Sequence, residues 1–393
     1  MKYNFHNVLM GVSVLPAFLV MPALADTINS RQVISSDTTY TDLTASNIAS
    51  NVANNGGVFY MIDVPDVTLT FDGTTTFDSN SITDGGMGGV IGNGWLSSLS
   101  GTGFTQGGKI VFNGTSNFTN NTTNNINGGG AIFNYGLGNA TSPDILFYGD
   151  ATFTGNKVTS SSNSVYVGGG AINHRNGMIV FDTTASFSGN ESASKGGAIM
   201  SAGDIFFNGN ATFDGNSAGL NGGALSMLGG NINFDQSASF TNNSASGASA
   251  IYVGEAAEKL SFFGNANFSG NTGVGTLLNN SASATVVFSD GATFDGNTNN
   301  QNGALVNAGT VDLTSGDFIF TNNTGSNGGG LKSSGTVSVD TTGNVLFSNN
   351  STTNSAGALD NGGSITLAAS QVSFLGNSSN AGYAGAIFNA GDL

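Results

Sequence analysis

The stretch FDTTASFSGNESASKGGAI, residues 181–199, contains the pattern that decides the fold. It carries Phe181 and Phe187 six positions apart, Asn190 three positions after the second phenylalanine, and a Gly-Gly-Ala-Ile strand that ends at Ile199. From Phe187 onward, successive Phe-x-x-Asn units lie 26 to 28 residues apart. Such constant spacing predicts stacked structural repeats.

The Phe-x-x-Asn unit recurs in register along the chain. We predict that its phenylalanines fill the interior of the stack, while its asparagines lie at turns and bond the backbone or the equivalent asparagine of the next coil. The predicted structural ladder comprises Phe77, Asn80, Phe118, Asn121, Phe153, Asn156, Phe187, Asn190, Phe213, Asn216, Phe240, Asn243, Phe268, Asn271, Phe294, Asn297, Phe320, Asn323, Phe347, Asn350, Phe374 and Asn377.

A second apolar position lies six residues before each phenylalanine of these units. In the first eight units it is also phenylalanine, as at Phe181, and it closes a short run of β-forming residues. In the last three units Thr314, Thr341 and Ala368 hold that place, so the pattern loosens toward the C-terminus.

Three short runs per unit, separated by Gly, Asn, Asp and Ser, leave no room for helices. The apolar spacing is mostly alternating, which is typical of strands. A single unit cannot bury its own apolar face, so the units must stack. The sequence therefore predicts an all-β, single-stranded parallel β-helix of about 11–12 coils, with a rung spacing of about 4.8 Å.

The paired motifs Phe-x-x-Asn and Gly-Gly-Ala-Ile resemble the repeats of chlamydial polymorphic outer-membrane proteins and related autotransporter passengers. The resemblance covers about residues 56–390. It implies a right-handed parallel β-helix displayed on a Gram-negative cell, an adhesin whose partner is a host or neighbouring-cell surface protein or glycan. Self-association is the other mode of contact that we consider.

This chain departs from that family in two respects. Family members often carry cysteines in the passenger and end in an anchoring β-barrel; this sequence has no cysteine, and we identify no barrel strands in it. A truncated passenger without activity of its own is therefore one alternative.

The N-terminal residues predict export. Lys2 precedes an apolar run over residues 8–24, and Ala23-Leu24-Ala25 matches a signal-peptidase site. We divide the chain into a signal peptide (1–25), a polar N-terminal cap (26–55) and a β-helix domain (56–393), and expect it at the outer-membrane surface or outside the cell.

Net charge argues against nucleic-acid binding, and the lengths of the apolar runs argue against a transmembrane helix. Eight Lys and Arg stand against 24 Asp and Glu, giving a formal net charge of −16 that repels nucleic-acid phosphates. No second apolar run reaches the length of a membrane-spanning helix. We therefore expect neither a nucleic-acid partner nor a transmembrane helix.

The β-helix fold also occurs in polysaccharide lyases and hydrolases, so catalysis must be considered. His174, followed by Arg175, is the strongest candidate for a base, but no carboxylate is close in sequence, and we interpret the pair as a surface turn. Asp78, Asp214 and Asp295 recur beside the ladder phenylalanines, where Thr and Ser replace them in other units, which favours a turn role. We expect no enzyme activity and no catalytic, metal or cofactor site, with a β-helical carbohydrate-active enzyme as the alternative.

Loops are the remaining places for recognition. The first coils are longer, with gaps of 41, 35 and 34 residues between successive ladder phenylalanines. Their clearest loops are residues 93–108, which contain the single tryptophan, Trp95, and residues 157–167. Trp95 is our candidate contact residue; packing of its ring onto the solenoid is the alternative.

Overall fold

A computed structural model describes residues 25–50, 56–83, 85–96, 104–125, 127–136, 144–161, 167–299 and 301–393. The predicted signal peptide lies outside these ranges except for Ala25. Every regular element in them is a β-strand, and long parallel sheets run through successive repeats. This confirms the predicted all-β parallel solenoid. The described ranges contain no helix that is long and apolar enough to traverse a lipid bilayer.

The strand before each Phe-x-x-Asn turn belongs to what we call the first sheet. Equivalent residues pair in register between coils, for example Phe187 with Phe213. Alternate side chains of these strands point inward, as the burial of Ala185 and Phe187 shows. In the described residues its strands are Thr27–Ile28, Thr44–Ser46, Thr75–Asp78, Ser116–Thr119, Ala151–Thr154, Ala185–Ser188, Ala211–Asp214, Ala238–Thr241, Ala266–Ser269, Ala292–Asp295, Phe318–Thr321, Asn344–Ser348 and Gln371–Leu375.

Two-residue strands directly after each ladder asparagine form the second sheet. They turn the chain away from the first sheet toward the Gly-Gly-Ala motif. The described strands are Ala49–Ser50, Ser81–Ile82, Thr122–Thr123, Lys157–Val158, Glu191–Ser192, Ser217–Ala218, Ser244–Ala245, Thr272–Gly273, Thr298–Asn299, Thr324–Gly325, Ser351–Thr352 and Ser378–Ser379.

The remaining wall, the wide sheet, consists of two columns of strands. The Ile column follows the Gly-Gly-Ala motif and comprises Gln32–Val33, Phe59–Met61, Ile91–Asn93, Ile132–Tyr135, Ile172–Asn176, Ile199–Ser201, Gly275–Asn279, Leu305–Asn307, Leu331–Ser333, Leu359–Asn361 and Ile387–Asn389. The Phe column comprises Thr38–Thr41, Thr68–Asp72, Lys109–Phe112, Ile145–Phe147, Met178–Phe181, Asp204–Phe207, Thr285–Phe288, Thr310–Leu313, Thr336–Asp340 and Ser364–Ala368. Two long strands, Leu225–Phe234 and Ala248–Phe262, run through both columns and join them into one sheet.

Two stacks of phenylalanine rings form the core. The ladder phenylalanines from Phe77 to Phe374 stack on one another with centroids 4.6–5.1 Å apart. The second stack, from Phe71 to Phe288, has the same spacing. Rings of the two stacks meet edge to face, as Phe207 and Phe213 do at 81°. Both geometries are favourable for aromatic pairs.

In the later units, the residue that continues the second phenylalanine stack lies before the one that the six-residue spacing selects. The register partner of Phe288 is Leu313 rather than Thr314, and Val339 occupies the same position in the next coil. The volume lost with the phenylalanine is restored on the opposite wall, where Phe318 takes the position that Ala292 holds one coil earlier. Both Leu313 and Phe318 are fully buried, so the apolar core continues through this coil.

The parallel sheets begin before residue 56. Within the segment predicted as a polar, irregular cap, Thr44–Ser46 pairs in parallel with Thr75–Asp78 of the first repeat, and Thr38–Thr41 pairs with Thr68–Asp72. Leu43 is fully buried there. This segment therefore adds strands to the same stack.

Candidate contact site

The ladder asparagines face the interior of the wall. In Asn190, both the backbone N–H and Nδ2 donate to Oδ1 of Asn216, at 3.0 and 2.9 Å, and Nδ2 also donates to the carbonyl of Phe153 at 2.9 Å. The same bonds repeat from Asn80 to Asn377, and every ladder asparagine up to Asn350 is fully buried. These residues hold coils together and present no side chain to a partner.

A second polar ladder, which we did not predict, lies at the end of the Ile column. Asn93 donates to Asn134 at 2.8 Å, and Asn279 donates to Asn307 at 3.0 Å. Paired in register at this position are Asn93, Asn134, His174, Ser201, Asn279, Asn307, Ser333, Asn361 and Asn389, with Met227 and Val253 interrupting the series. Its signal in the sequence is a polar residue two positions after the Ile or Leu of the Gly-Gly-Ala-Ile motif.

Residues of the second ladder also close the turn between the two columns, which we call the variable corner. Asn307 donates to the carbonyl of Gly309 at 3.0 Å and accepts from its N–H at 3.1 Å. Ser201 donates to the carbonyl of Gly203 at 2.8 Å. The ladder therefore satisfies buried backbone groups that a tight turn leaves without strand partners.

His174 is a member of this ladder. Its side chain is fully buried, with Nδ1 3.1 Å from Nδ2 of Asn134 and Nε2 3.2 Å from the carbonyl of Gly177. Because an amide nitrogen donates and a carbonyl accepts, the proton is assigned to Nε2. Burial lowers the pKa of His174 to about 4, so the ring is neutral at pH 7. The expected surface turn is wrong for His174, whose nitrogens are both engaged in the wall.

The variable corner differs in length from coil to coil. In most C-terminal coils it is short, as at residues 308–309 and 334–335, whereas in early coils it spans residues 94–108 and 136–144. The Phe-x-x-Asn turn, by contrast, keeps one form, because the residue before each ladder asparagine has positive φ at Ser79, Asn120, Gly155, Gly189, Gly215, Asn242, Gly270, Gly296, Asn322, Asn349 and Gly376. Two of the three long early coils thus carry their extra chain at this corner, and the third carries it between Lys157–Val158 and Ile172–Asn176, on the way from the second sheet to the Ile column.

Trp95 lies in the longest of these corners. Trp95–Leu96 pairs antiparallel with Phe104–Thr105, forming a two-stranded hairpin whose tip, residues 97–103, lies outside the described residues. The base of the hairpin is fixed by Asn93, which donates to the carbonyl of Gly108 at 2.9 Å and accepts from its N–H at 2.9 Å. Of the second predicted loop, residues 162–166 likewise lie outside the described part.

The two long strands widen the corner farther along the solenoid. Met227 and Val253 replace the polar ladder residue there, and neither side chain can bond a turn. Strand pairing continues through Gly229 and Gly230, which pair with Ala256 and Ala257, but the register shifts on both sides of them and Gly230 has a φ of +67°.

A notch of about 240 Å³ lies beside this widened section. Its floor comes from the short corners at Gly177 and Gly203, and its sides carry the carboxylates of Asp204 and Glu258. Asn231 joins the two carboxylates through Nδ2, at 3.3 Å from each. The notch is polar and acidic, in keeping with the net charge of the chain.

The recurrent aspartates act at turns. Asp214 accepts from the hydroxyl of Thr241 at 2.7 Å and from Nδ2 of Asn242 at 3.0 Å, and Asp295 makes the equivalent bonds three coils later. The described residues contain no group of three His, Cys, Asp or Glu side chains placed to hold a metal ion.

Neither a family model, nor a curated protein, nor a solved structure matches this chain.

Proposed function

We propose that this chain is an exported, passenger-like β-helix that acts by contact with host or neighbouring-cell surfaces or with other copies of itself, and that the variable corner is its contact surface. The observation that carries the proposal is the length of the variable corner in two early coils, where it spans residues 94–108 and 136–144. In solenoid proteins, insertions that map to one face often mark the binding face.

The chemistry of the walls supports contact at the corner over contact elsewhere. The asparagine ladders and both phenylalanine stacks are buried, so they make the wall rigid but are not accessible to a partner. A rigid wall that projects loops from one edge lowers the entropy lost when those loops bind.

The contact proposal is tested with beads coated with the purified protein, scored for attachment to cultured epithelial cells and for clustering with one another. Trp95→Ser is expected to reduce the affinity of the active mode of contact by about thirtyfold, the effect of losing a tryptophan at the centre of an interface. Tyr148→Ser is the matched control, because Tyr148 is half exposed but follows the Phe column, away from the variable corner.

Two outcomes contradict the proposal. Wild-type beads that neither attach nor cluster argue against a contact function. Equal losses for Trp95→Ser and Tyr148→Ser argue against the variable corner as the contact surface.

Export is tested separately by N-terminal sequencing of the protein recovered from outside the cytoplasm of a Gram-negative host. We expect the mature chain to begin at Asp26. A chain that retains Met1 and remains in the cytoplasm would contradict export.

A further inference from the structure

A second cleft opens where the variable corner meets the outer face of the Ile column. It has a volume of about 290 Å³, at the small end of ligand pockets, and suits one ring rather than an extended polymer. Three consecutive coils build it, from the strands Gly275–Asn279, Leu305–Asn307 and Leu331–Ser333.

The cleft combines an apolar floor with amide groups. Leu278 and Val306 are register partners on the outer face, and both remain partly exposed. Asn280 and Asn302 line the same cleft. Side-chain amides both donate and accept hydrogen bonds, as sugar hydroxyls do, while the apolar floor suits the C–H face of a sugar ring.

Lys332 adds a positive charge to this cleft. It is the register partner of Val306, and its Nζ reaches back to the preceding coil, donating to Oδ1 of Asn302 at 3.1 Å. An ammonium group has three donors, so two remain for a ligand or solvent.

Within the described residues no carboxylate lies at ion-pair distance from this ammonium; the ion pair present there joins Lys157 and Glu191. Asp360, its register partner in the next coil, does not line the cleft. A cation that is left unpaired in a strongly acidic chain, above an apolar floor, favours an anionic ligand.

We propose that this cleft binds a carboxylated sugar ring, with the carboxylate on Lys332, the hydroxyls on Asn280 and Asn302, and the ring face on Leu278 and Val306. The inference deepens the proposed contact function, on which it rests for its biological setting. Lys332 is the specificity-determining residue, because it distinguishes an acidic sugar from a neutral one.

The probes are sodium glucuronate, glucose and a glucuronate-terminated oligosaccharide, titrated into the full chain by calorimetry at low salt. We expect glucuronate to bind at least about tenfold more tightly than glucose, since a hydrogen bond to a charged group contributes that much. Binding of the oligosaccharide identifies a glycan as the source, and binding of the free acid alone identifies a free sugar acid; either supports the assigned ligand class.

Variants separate the cleft from nonspecific attraction. Lys332→Gln is expected to lower glucuronate affinity about tenfold and to abolish the preference over glucose, and Lys332→Arg to restore much of it. Lys259→Gln, which removes an exposed charge on the long strand Ala248–Phe262, is expected to leave binding unchanged. Circular dichroism confirms that each variant is folded.

Absence of glucuronate binding, equal binding of glucose, or equal losses in Lys332→Gln and Lys259→Gln would overturn the inference. These outcomes are distinct from failure of the contact function, which the bead assay with Trp95→Ser measures without reference to Lys332.

Discussion

Asn216 shows how one side chain ties coils together. Its N–H and Nδ2 donate to Asn243 at 2.9 and 3.0 Å, its Nδ2 also donates to the carbonyl of Phe187, and its Oδ1 accepts two bonds from Asn190. Each such buried group would cost free energy if it lost its partner, because water does not reach it.

Asn216→Ala is therefore expected to lower the free energy of unfolding by about 3 kcal/mol, since it leaves buried donors of Asn190 without an acceptor. Urea unfolding followed by circular dichroism measures the change. Asn210→Ala, an exposed position in the same coil, is expected to change stability by no more than about 0.5 kcal/mol. Similar values for the two variants would contradict a structural role for the ladder.

Gly215 tests the backbone requirement of the Phe-x-x-Asn turn. Its φ is +64°, and a Cβ placed there would meet nothing within 4 Å, so conformation rather than space limits substitution. Gly215→Val is expected to destabilise the protein by about 1–2 kcal/mol. Gly215→Asn is expected to be nearly neutral in thermal unfolding, because Asn242 and Asn322 adopt the same φ region. Equal melting temperatures for the two variants would argue against this cause.

His174 makes stability depend on pH. Burial lowers its pKa from 6.5 to about 4 in the folded chain, so the unfolded chain takes up a proton first as the pH falls. Its contribution is intact above pH 6.5 and is lost progressively toward pH 4, by about 3 kcal/mol in total. His174→Asn, which restores the commonest residue of the second ladder, is expected to remove this part of the pH dependence in unfolding measured from pH 7 to pH 4. An unchanged slope would show that other groups cause it.

At the scale of elements, the first sheet depends on matched ring stacks. Phe213 stacks between Phe187 and Phe240 at 4.8 and 4.7 Å and is fully buried. Phe213→Ala is expected to cost about 3–5 kcal/mol, because it removes a large buried side chain and leaves a cavity between two rings. Lys195→Ala, on a half-buried side chain outside the core, serves as the control in denaturant unfolding. A loss below about 1 kcal/mol for Phe213→Ala would contradict a close-packed core.

Strands at the variable corner differ in length. Where Ser201 bonds Gly203, the chain turns and a new strand begins at Asp204. Where Met227 stands instead, the strand continues to Phe234. A side chain that can replace lost strand hydrogen bonds permits the turn. Met61 holds the same register position and its strand also ends there, so an apolar residue does not by itself lengthen the strand.

For the whole molecule, stacking means that each coil contacts mainly its neighbours. Strand pairs link successive repeats, as Ala185–Ser188 with Ala211–Asp214 and the latter with Ala238–Thr241. Solenoids of this kind behave as chains of nearest-neighbour interactions, so damage to one coil spreads over short distances.

Hydrogen exchange is expected to show this locality. Phe213→Ala should accelerate exchange of amides in Ala185–Ser188 and Ala238–Thr241, while Thr336–Asp340 keeps wild-type protection under native conditions. Peptide-resolved mass spectrometry makes the comparison within one sample. Uniform acceleration along the chain would indicate a globally cooperative unit instead.

The sequence by itself determined the period, the strand class, the ring stack and the position of the asparagine ladder. All of these depend on local spacing that recurs in register. The spacing of Phe187 and Asn190 is therefore repeated in the other coils. The hairpin region around Trp95 was also identifiable, because added length is visible in the spacing itself.

Only the tertiary structure decided where the strand register departs from the sequence spacing and which distant residues are in contact. It placed Leu313 rather than Thr314 inside, buried His174 in a second ladder, and brought Lys332 to Asn302 across one coil. These outcomes depend on contacts between coils of unequal length, and a one-residue change in spacing exchanges the inward and outward faces of a strand. Local patterns set the repeat; the alignment of neighbouring coils sets the surface that the repeat presents.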